Sequence, residues 1–260
     1  MENYNKLWRL FYAIGLIAIA VQQLICADFR PVILPPAFPA WLPARLICTW
    51  VFSLGLIADC IAIILEIKAR QASLILGGVF LLLVIFCHIP YELNLHATQL
   101  GAWTDPFKCL TLSGGAFIVA GSFPSQNNTS AIIKLLEKFI PAGKYFVAVM
   151  MIAFGIDHFL YTDFVATIVP AWVGSKIFWT YFAGTALIAA GLGIILNIKR
   201  RLAAILAGAM IFIWFVILHI PRAIADPHSG KGNEWTSVFE ALAFSGIAFL
   251  IASQSKKQPK

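Results

Sequence analysis

Apolar residues run along this chain in long blocks, and polar positions gather between them. The blocks fall near 8–27, 45–67, 72–90, 105–123, 141–161, 175–196, 202–220 and 236–253. Each is close to the ~20 residues a helix needs to cross a bilayer core. Polar and apolar positions do not alternate, as they would in the strands of a membrane β-barrel, and no amphipathic stripe is present. The pattern predicts an all-α membrane protein with eight transmembrane helices and almost no soluble domain.

The blocks repeat in kind as well as in length. VQQLICADFRPVILP (21–35) matches GIDHFLYTDFVATIVP (155–170), with Asp28-Phe29 on Asp163-Phe164 and Pro35 on Pro170. After a short insertion in the first copy, Trp41 falls on Trp172, Arg45 on Lys176 and Lys68 on Lys199. His88 and Pro90 fall on His219 and Pro221, then Trp103-Thr104 on Trp235-Thr236 and Ser113-Gly114 on Ser245-Gly246. The expected organisation is a four-helix unit at 1–123, a linker at 124–140 and a second unit at 141–260. An even number of helices per unit makes the copies parallel, two tandem four-helix bundles about a pseudo-two-fold axis along the membrane normal. Pro-Ala-Trp after the first helix of each copy reads as chain lying in the interface, with Trp41 and Trp172 at headgroup level.

Composition and charge refine this picture. The 260 residues are 60% hydrophobic and 12% charged, well below the ~25% charged residues of soluble domains. Of the 19 lysines and arginines, thirteen fall on the side of both termini, from Lys6 and Arg9 to Lys260. Only Arg30, Arg45, Lys108, Lys176, Arg222 and Lys231 fall on the other. Positive charge is retained in the cytoplasm, so both termini are expected there. The net charge of +7 then reflects topology and contact with anionic membrane lipid, not nucleic-acid binding. A cleaved signal peptide at 1–27 is disfavoured, because this helix has its counterpart at 141–161 in mid-chain. Asn127 and Asn128 satisfy the glycosylation pattern but fall on the cytoplasmic side.

Candidate chemistry gathers toward the outer side. Asp157 and His158 stand in an apolar stretch near the outer end of the fifth helix. A charge at the bilayer centre costs roughly 2.5–3.5 kcal/mol on insertion scales, which makes such residues functional candidates, though solvation near the interface lowers that cost. The first copy has Gln22-Gln23 there, so any proton chemistry belongs to the second half. His88 and His219, each one residue before Ile-Pro, allow three readings. Each could donate to a carbonyl freed by the proline, or to a ligand between the bundles, or the pair could ligate haem axially. The haem reading is the least supported, since nothing else here is haem-specific. Asp157, His158 and His219 are the candidate catalytic residues, expected to line one polar pocket in the outer leaflet of the second bundle. His88, Arg222, Glu234 and Trp235 are candidate ligand-binding residues. For Arg222 and Glu234 the plainer reading is solvated loop charge, and Glu92 is the nearest acidic analogue in the first copy. Asp59, deep in the second helix, should face protein, not lipid, either protonated or paired.

The five cysteines, 26, 48, 60, 87 and 109, all lie in the first copy without a Cys-x-x-Cys, so they read as small apolar packers and no metal site is expected. No Walker loop, dinucleotide-binding glycine pattern or serine-nucleophile motif occurs.

GIDHFLYTDFVATIVPAWV, FWTYFAGTALIAAGLGIIL, LHIPRA and NEWTSVFEALAFSGIAFL together resemble the DoxX-like membrane proteins. The resemblance covers about Phe146 to Ile251 and, more weakly, the first copy. It implies a four-helix membrane unit in a bacterial inner (plasma) membrane. Some members are membrane subunits associated with thiosulfate:quinone oxidoreductases, so it also implies a quinone as ligand and a membrane or periplasmic redox partner. No catalytic residue set carries over. The leading functional expectation is a redox-complex membrane subunit that binds quinone near the outer face. A transporter of small apolar metabolites comes second, because the prolines cluster at helix ends and not at the midplane breaks usual in carriers. A non-catalytic assembly or scaffold protein comes third.

Overall fold

The computed structural model describes residues 2–36, 44–125 and 130–255; among them there is no strand, and 83% of them are helical. Four long helices make up the first half: α1 (Glu2–Cys26), α2 (Arg45–Ile64), α3 (Ala69–Leu83) and α4 (Thr104–Gly121). The second half has α5 (Gly143–Leu160), α6 (Lys176–Ile195), α7 (Arg200–Trp214) and α8 (Asn233–Gln254). Seven of these regions are long and apolar enough to cross a membrane. The exception is α4, which carries Asp105, Lys108, Thr111 and Ser113. Its residues from Leu112 to Ala120 are all buried, so this helix meets protein along that stretch and does not need an apolar surface. Trp41 and Asn127–Thr129 lie outside the described residues, whereas Trp172 is 71% exposed in a single 3₁₀ turn, Ala171–Val173.

The duplication extends to unusual backbone. Non-glycine residues with positive φ recur at matched places: Glu66 and Lys68 (59° and 49°) between α2 and α3, Asn197 and Lys199 (58° and 45°) between α6 and α7. Each His-Ile-Pro histidine closes a π turn, Val84–His88 after α3 and Phe215–His219 after α7. The cause is the proline, which has no N–H and whose ring crowds the carbonyl four residues back. A wider turn relieves the crowding. The N–H of Ile89 reaches the Val84 carbonyl and that of Ile220 reaches Phe215, both five residues back. Helix then resumes as Ile89–Leu95 and Ile220–Ala225.

Successive helices pack in order within each half, and the halves interlock: α1 lies on α8, α4 lies on α5, and α4 touches α8. Equivalent glycines make the two crossings. A Cβ on Gly114 would stand 2.5 Å from the Gly143 carbonyl oxygen, beside Phe146. One on Gly246 would stand 2.7 Å from the Trp8 carbonyl oxygen, beside Phe11. In the register that puts Asp28 on Asp163, Trp8 falls on Gly143 and Phe11 on Phe146. Small residues let backbones approach this closely in membranes. One apolar core runs through both halves, from Tyr12 and Leu16 to Ile247 and Ala252.

Charges mark the two ends. At one end Arg9 pairs with Glu66 (2.9 Å) and lies 4.1 Å over the Phe123 ring, and Arg70 pairs with Glu137 (2.8 Å). At the other, Arg45 pairs with Asp28 (2.8 Å) and Arg222 with Glu234 (2.5 Å). The long side chains thus hold helix ends together where charge remains in reach of water.

Candidate functional site

A cavity of about 630 Å³ lies in the second half, among α5, α6, α7 and α8, with the start of α4 closing one side. Its wall is apolar, with Phe154, Trp179, Leu187 and Trp214 among the lining side chains. Its ionisable residues are Asp157 and His158 on α5, His219 after α7, Glu240 on α8 and Lys108 on α4, and Thr104, Thr180 and Ser237 add hydroxyls. Exposed Phe164 and Tyr161 stand on its rim.

Each polar side chain is held differently. His158 points its Nδ1 back at the Phe154 carbonyl (2.6 Å), one turn earlier in α5, which fixes the ring against its own helix. Asp157 is 7% exposed, and neither carboxylate oxygen has a hydrogen-bond partner among the described residues. His219, at the end of its π turn, is half-buried and makes no hydrogen bond among the described residues; Lys108, Arg222 and Glu234 are the charges near it. Lys108 Nζ bonds Glu240 Oε2 (3.1 Å) and Asp105 Oδ1 (3.3 Å), while Glu240 Oε1 is buried without a partner. A buried acceptor left unpaired costs about 1–3 kcal/mol. Asp157 and Glu240 therefore present strong acceptors to the cavity, Lys108 and His219 present donors, and His158, whose neutral ring spends its one N–H on the Phe154 carbonyl, has an acceptor at Nε2.

The structure thus places Asp157, His158 and His219 on one cavity. The other four candidates do not line it. His88 is 1% exposed inside the first half, with Nε2 3.2 Å from the Ile33 carbonyl. This bond goes to the loop after α1 and not to a carbonyl released by Pro90. Because that nitrogen is engaged, His88 has no free Nε2 with which to join His219 on a shared haem iron. Arg222 and Glu234 grip each other through two bonds of 3.0 and 2.5 Å. Trp235 stacks on Phe239 (6.2 Å between ring centres) and faces a separate groove against Ile14, Val21 and Gln22 of α1. Glu92 bonds His96 one turn away (2.9 Å), and Asp59 is half-buried on α2 with no hydrogen bond among the described residues.

Sequence reasoning overlooked Lys108 and Glu240 as a site pair. The signal was present: the register that puts Phe107 on Phe239 puts Lys108 on Glu240. Equivalent positions that meet across a two-fold face each other, so opposite charges there were a readable contact. All five cysteines are free thiols, and among the described residues no group of three His, Cys, Asp or Glu side chains is placed to hold a metal.

The family described as "Domain of unknown function (DUF8561)" matches residues 147–251, the stretch that builds nearly all of the cavity. The chain matches no curated protein and no solved structure.

Proposed function

We propose that this chain is a multi-pass membrane protein that binds an apolar molecule with a polar head in its second half, as the membrane subunit of a quinone-linked redox system. The observation that carries the reading is the cavity itself. Its volume lies in the range of small-molecule sites, its wall is apolar, and its polar groups converge from four helices. A quinone carries carbonyls on an apolar ring and takes up two electrons and two protons on reduction to the quinol. Asp157, His158 and His219 are the groups that hand over or receive those protons. The electrons come from a redox partner at the outer face. The resemblance to DoxX-like proteins belongs to this proposal and covers the same stretch as the domain match.

In the same reading α4 is an eighth membrane span, and the two four-helix units run parallel about a pseudo-two-fold axis. Both termini lie in the cytoplasm of a bacterial cell, and the cavity lies in the outer half of the inner membrane. The equivalent glycine crossings and the thirteen-to-six charge bias support this arrangement.

Purification in mild detergent, followed by mass spectrometry of extracted small molecules and an ultraviolet difference spectrum, tests the function. A quinone should accompany the wild-type protein and be lost from Ala183→Phe, which fills the cavity from α6. If the two preparations carry the same small molecules, the cavity is not the site and the redox reading falls to the scaffold one.

A further inference from the structure

The two halves close equivalent π turns on equivalent histidines, yet the two rings have different surroundings. In the first half, His88 donates from Nε2 to the Ile33 carbonyl (3.2 Å). Ile33 belongs to a tight turn after α1, in which the N–H groups of Ile33 and Leu34 both bond the Arg30 carbonyl (2.9 and 3.1 Å). Val32, Ile33 and Leu34 are 1%, 0% and 4% exposed, and Val32 and Ile33 sit in the apolar core with Leu56, Phe80 and Val84. Arg30, 3% exposed, locks the turn in place. Its backbone N–H bonds Gln23 Oε1 (3.1 Å), its Nε bonds Thr236 (3.0 Å) and its Nη1 bonds the Lys231 carbonyl (2.9 Å). In the first half a buried turn of the chain thus occupies the place against the imidazole.

In the second half the same stretch of sequence behaves otherwise. Val165-Ala166 replace Arg30-Pro31, and the connection from Asp163 to Lys176 is four residues shorter than that from Asp28 to Arg45. The segment forms the short helix Thr162–Ile168, whose Phe164, Val165 and Ile168 lie on the cavity wall. Among the described residues no turn takes the place of Arg30–Leu34. His219 instead lines the cavity and makes no hydrogen bond among the described residues.

We infer that the cavity receives an apolar molecule bearing a carbonyl group, and that His219 donates a hydrogen bond to that carbonyl as His88 does to Ile33. The first half is the internal template: a carbonyl flanked by aliphatic groups, seated against the imidazole. Imidazole always has at least one N–H, so the bond does not depend on its charge. This rests on the proposed site and names the chemistry it selects. A quinone and an acyl ester share that chemistry, and the test separates them.

The probes are a decyl-tailed benzoquinone and a long-chain methyl ester, each with a ¹³C-labelled carbonyl, and decane as the control lacking the group. Binding to the purified full chain is read by tryptophan fluorescence, with Ala183→Phe as the blocked control. Infrared spectra of the bound probes then read the carbonyl. A labelled band displaced to lower wavenumber on binding is expected, for the quinone if a redox carrier is the ligand and for the ester if a lipid is. The displacement should vanish in His219→Phe, which should also weaken binding about two- to ten-fold, the effect of losing one hydrogen bond. It should survive in His219→Gln, which keeps a donor, and in His88→Phe, which disturbs only the filled half. If the probes bind wild type but no band moves, or the shift persists in His219→Phe, the inference is overturned and the site reading stands. If neither carbonyl probe binds better than decane, or Ala183→Phe does not block them, both fall together.

Discussion

Lys108 and Glu240 stand at equivalent positions in the two halves and meet in an ion pair of 3.1 Å, with the Glu240 side chain only 5% exposed. An exact repeat would set two like charges against each other here. The duplicated sequence has diverged to opposite charges, so this contact is specific to the two halves together. It also joins the cavity wall to α4 of the first half.

Removal of one partner should therefore hurt more than removal of both. Lys108→Met alone leaves the buried Glu240 carboxylate without its partner, and about 3–5 kcal/mol of stability should be lost; Glu240→Leu should cost less, because Lys108 keeps Asp105 at 3.3 Å. The double variant should recover much of that, because Asp105 is one-third exposed and can be solvated. Thermal midpoints in detergent check this; a double variant no better than the worse single would mean that the pair is not coupled.

The glycine crossings give a second test. Alanine at Gly114 or Gly246 would place a Cβ within 2.7 Å of a carbonyl oxygen on the crossing helix, and overpacking of this kind costs about 1–3 kcal/mol. Gly55, with nothing within 4 Å, is the control, and Gly55→Ala should hold or raise the midpoint. Equal losses at all three positions would point to glycine flexibility and not to close approach.

The two histidines should separate cleanly in stability. His88→Phe leaves the buried Ile33 carbonyl without its donor and should cost about 1–3 kcal/mol. His219→Phe removes no hydrogen bond among the described residues and should shift the midpoint little. A larger loss at His219 than at His88 would contradict the template relationship between them.

Much of this was legible in the sequence, and the residues show why. Helix positions follow from apolar block length, and the duplication follows from matched Asp-Phe, His-Ile-Pro and Trp-Thr motifs, because both are properties of the chain taken in order. The similar depth of Asp157, His158 and His219 on two helices was legible, but the apolar wall of the cavity that they line was not. The π turns were not legible, since a proline signals a disrupted ladder but not which wider turn repairs it. The burial of Arg30–Leu34 was missed as well: a proline-rich stretch between two spans reads as surface chain, and only the buried hydrogen bonds of Arg30 show otherwise. Nor does periodicity say which helix of one half meets which helix of the other.

Accessibility labelling tests the topology. In a background with the native cysteines replaced, a thiol at Ser229 should react with an impermeant reagent added outside intact cells, and one at Ser130 should react only after lysis. Both residues are polar and stand at opposite ends of the helices, on the Ser229–Lys231 turn and before Ala131–Glu137. The reverse pattern would turn the charge-based orientation over and place the cavity in the inner leaflet.

The crossing of α1 on α8 bears on how the molecule is made. Gln22 on α1 bonds the carbonyl of Gly232, 210 residues further on, so α1 finds a principal neighbour only when α8 has been made. Until then α1 must remain among lipid or under a chaperone, with its glycine-matched face open. Assembly of this kind has high contact order, and a ribosome stalled anywhere between α2 and α8 would release a product that quality-control proteases can recognise by that uncovered face.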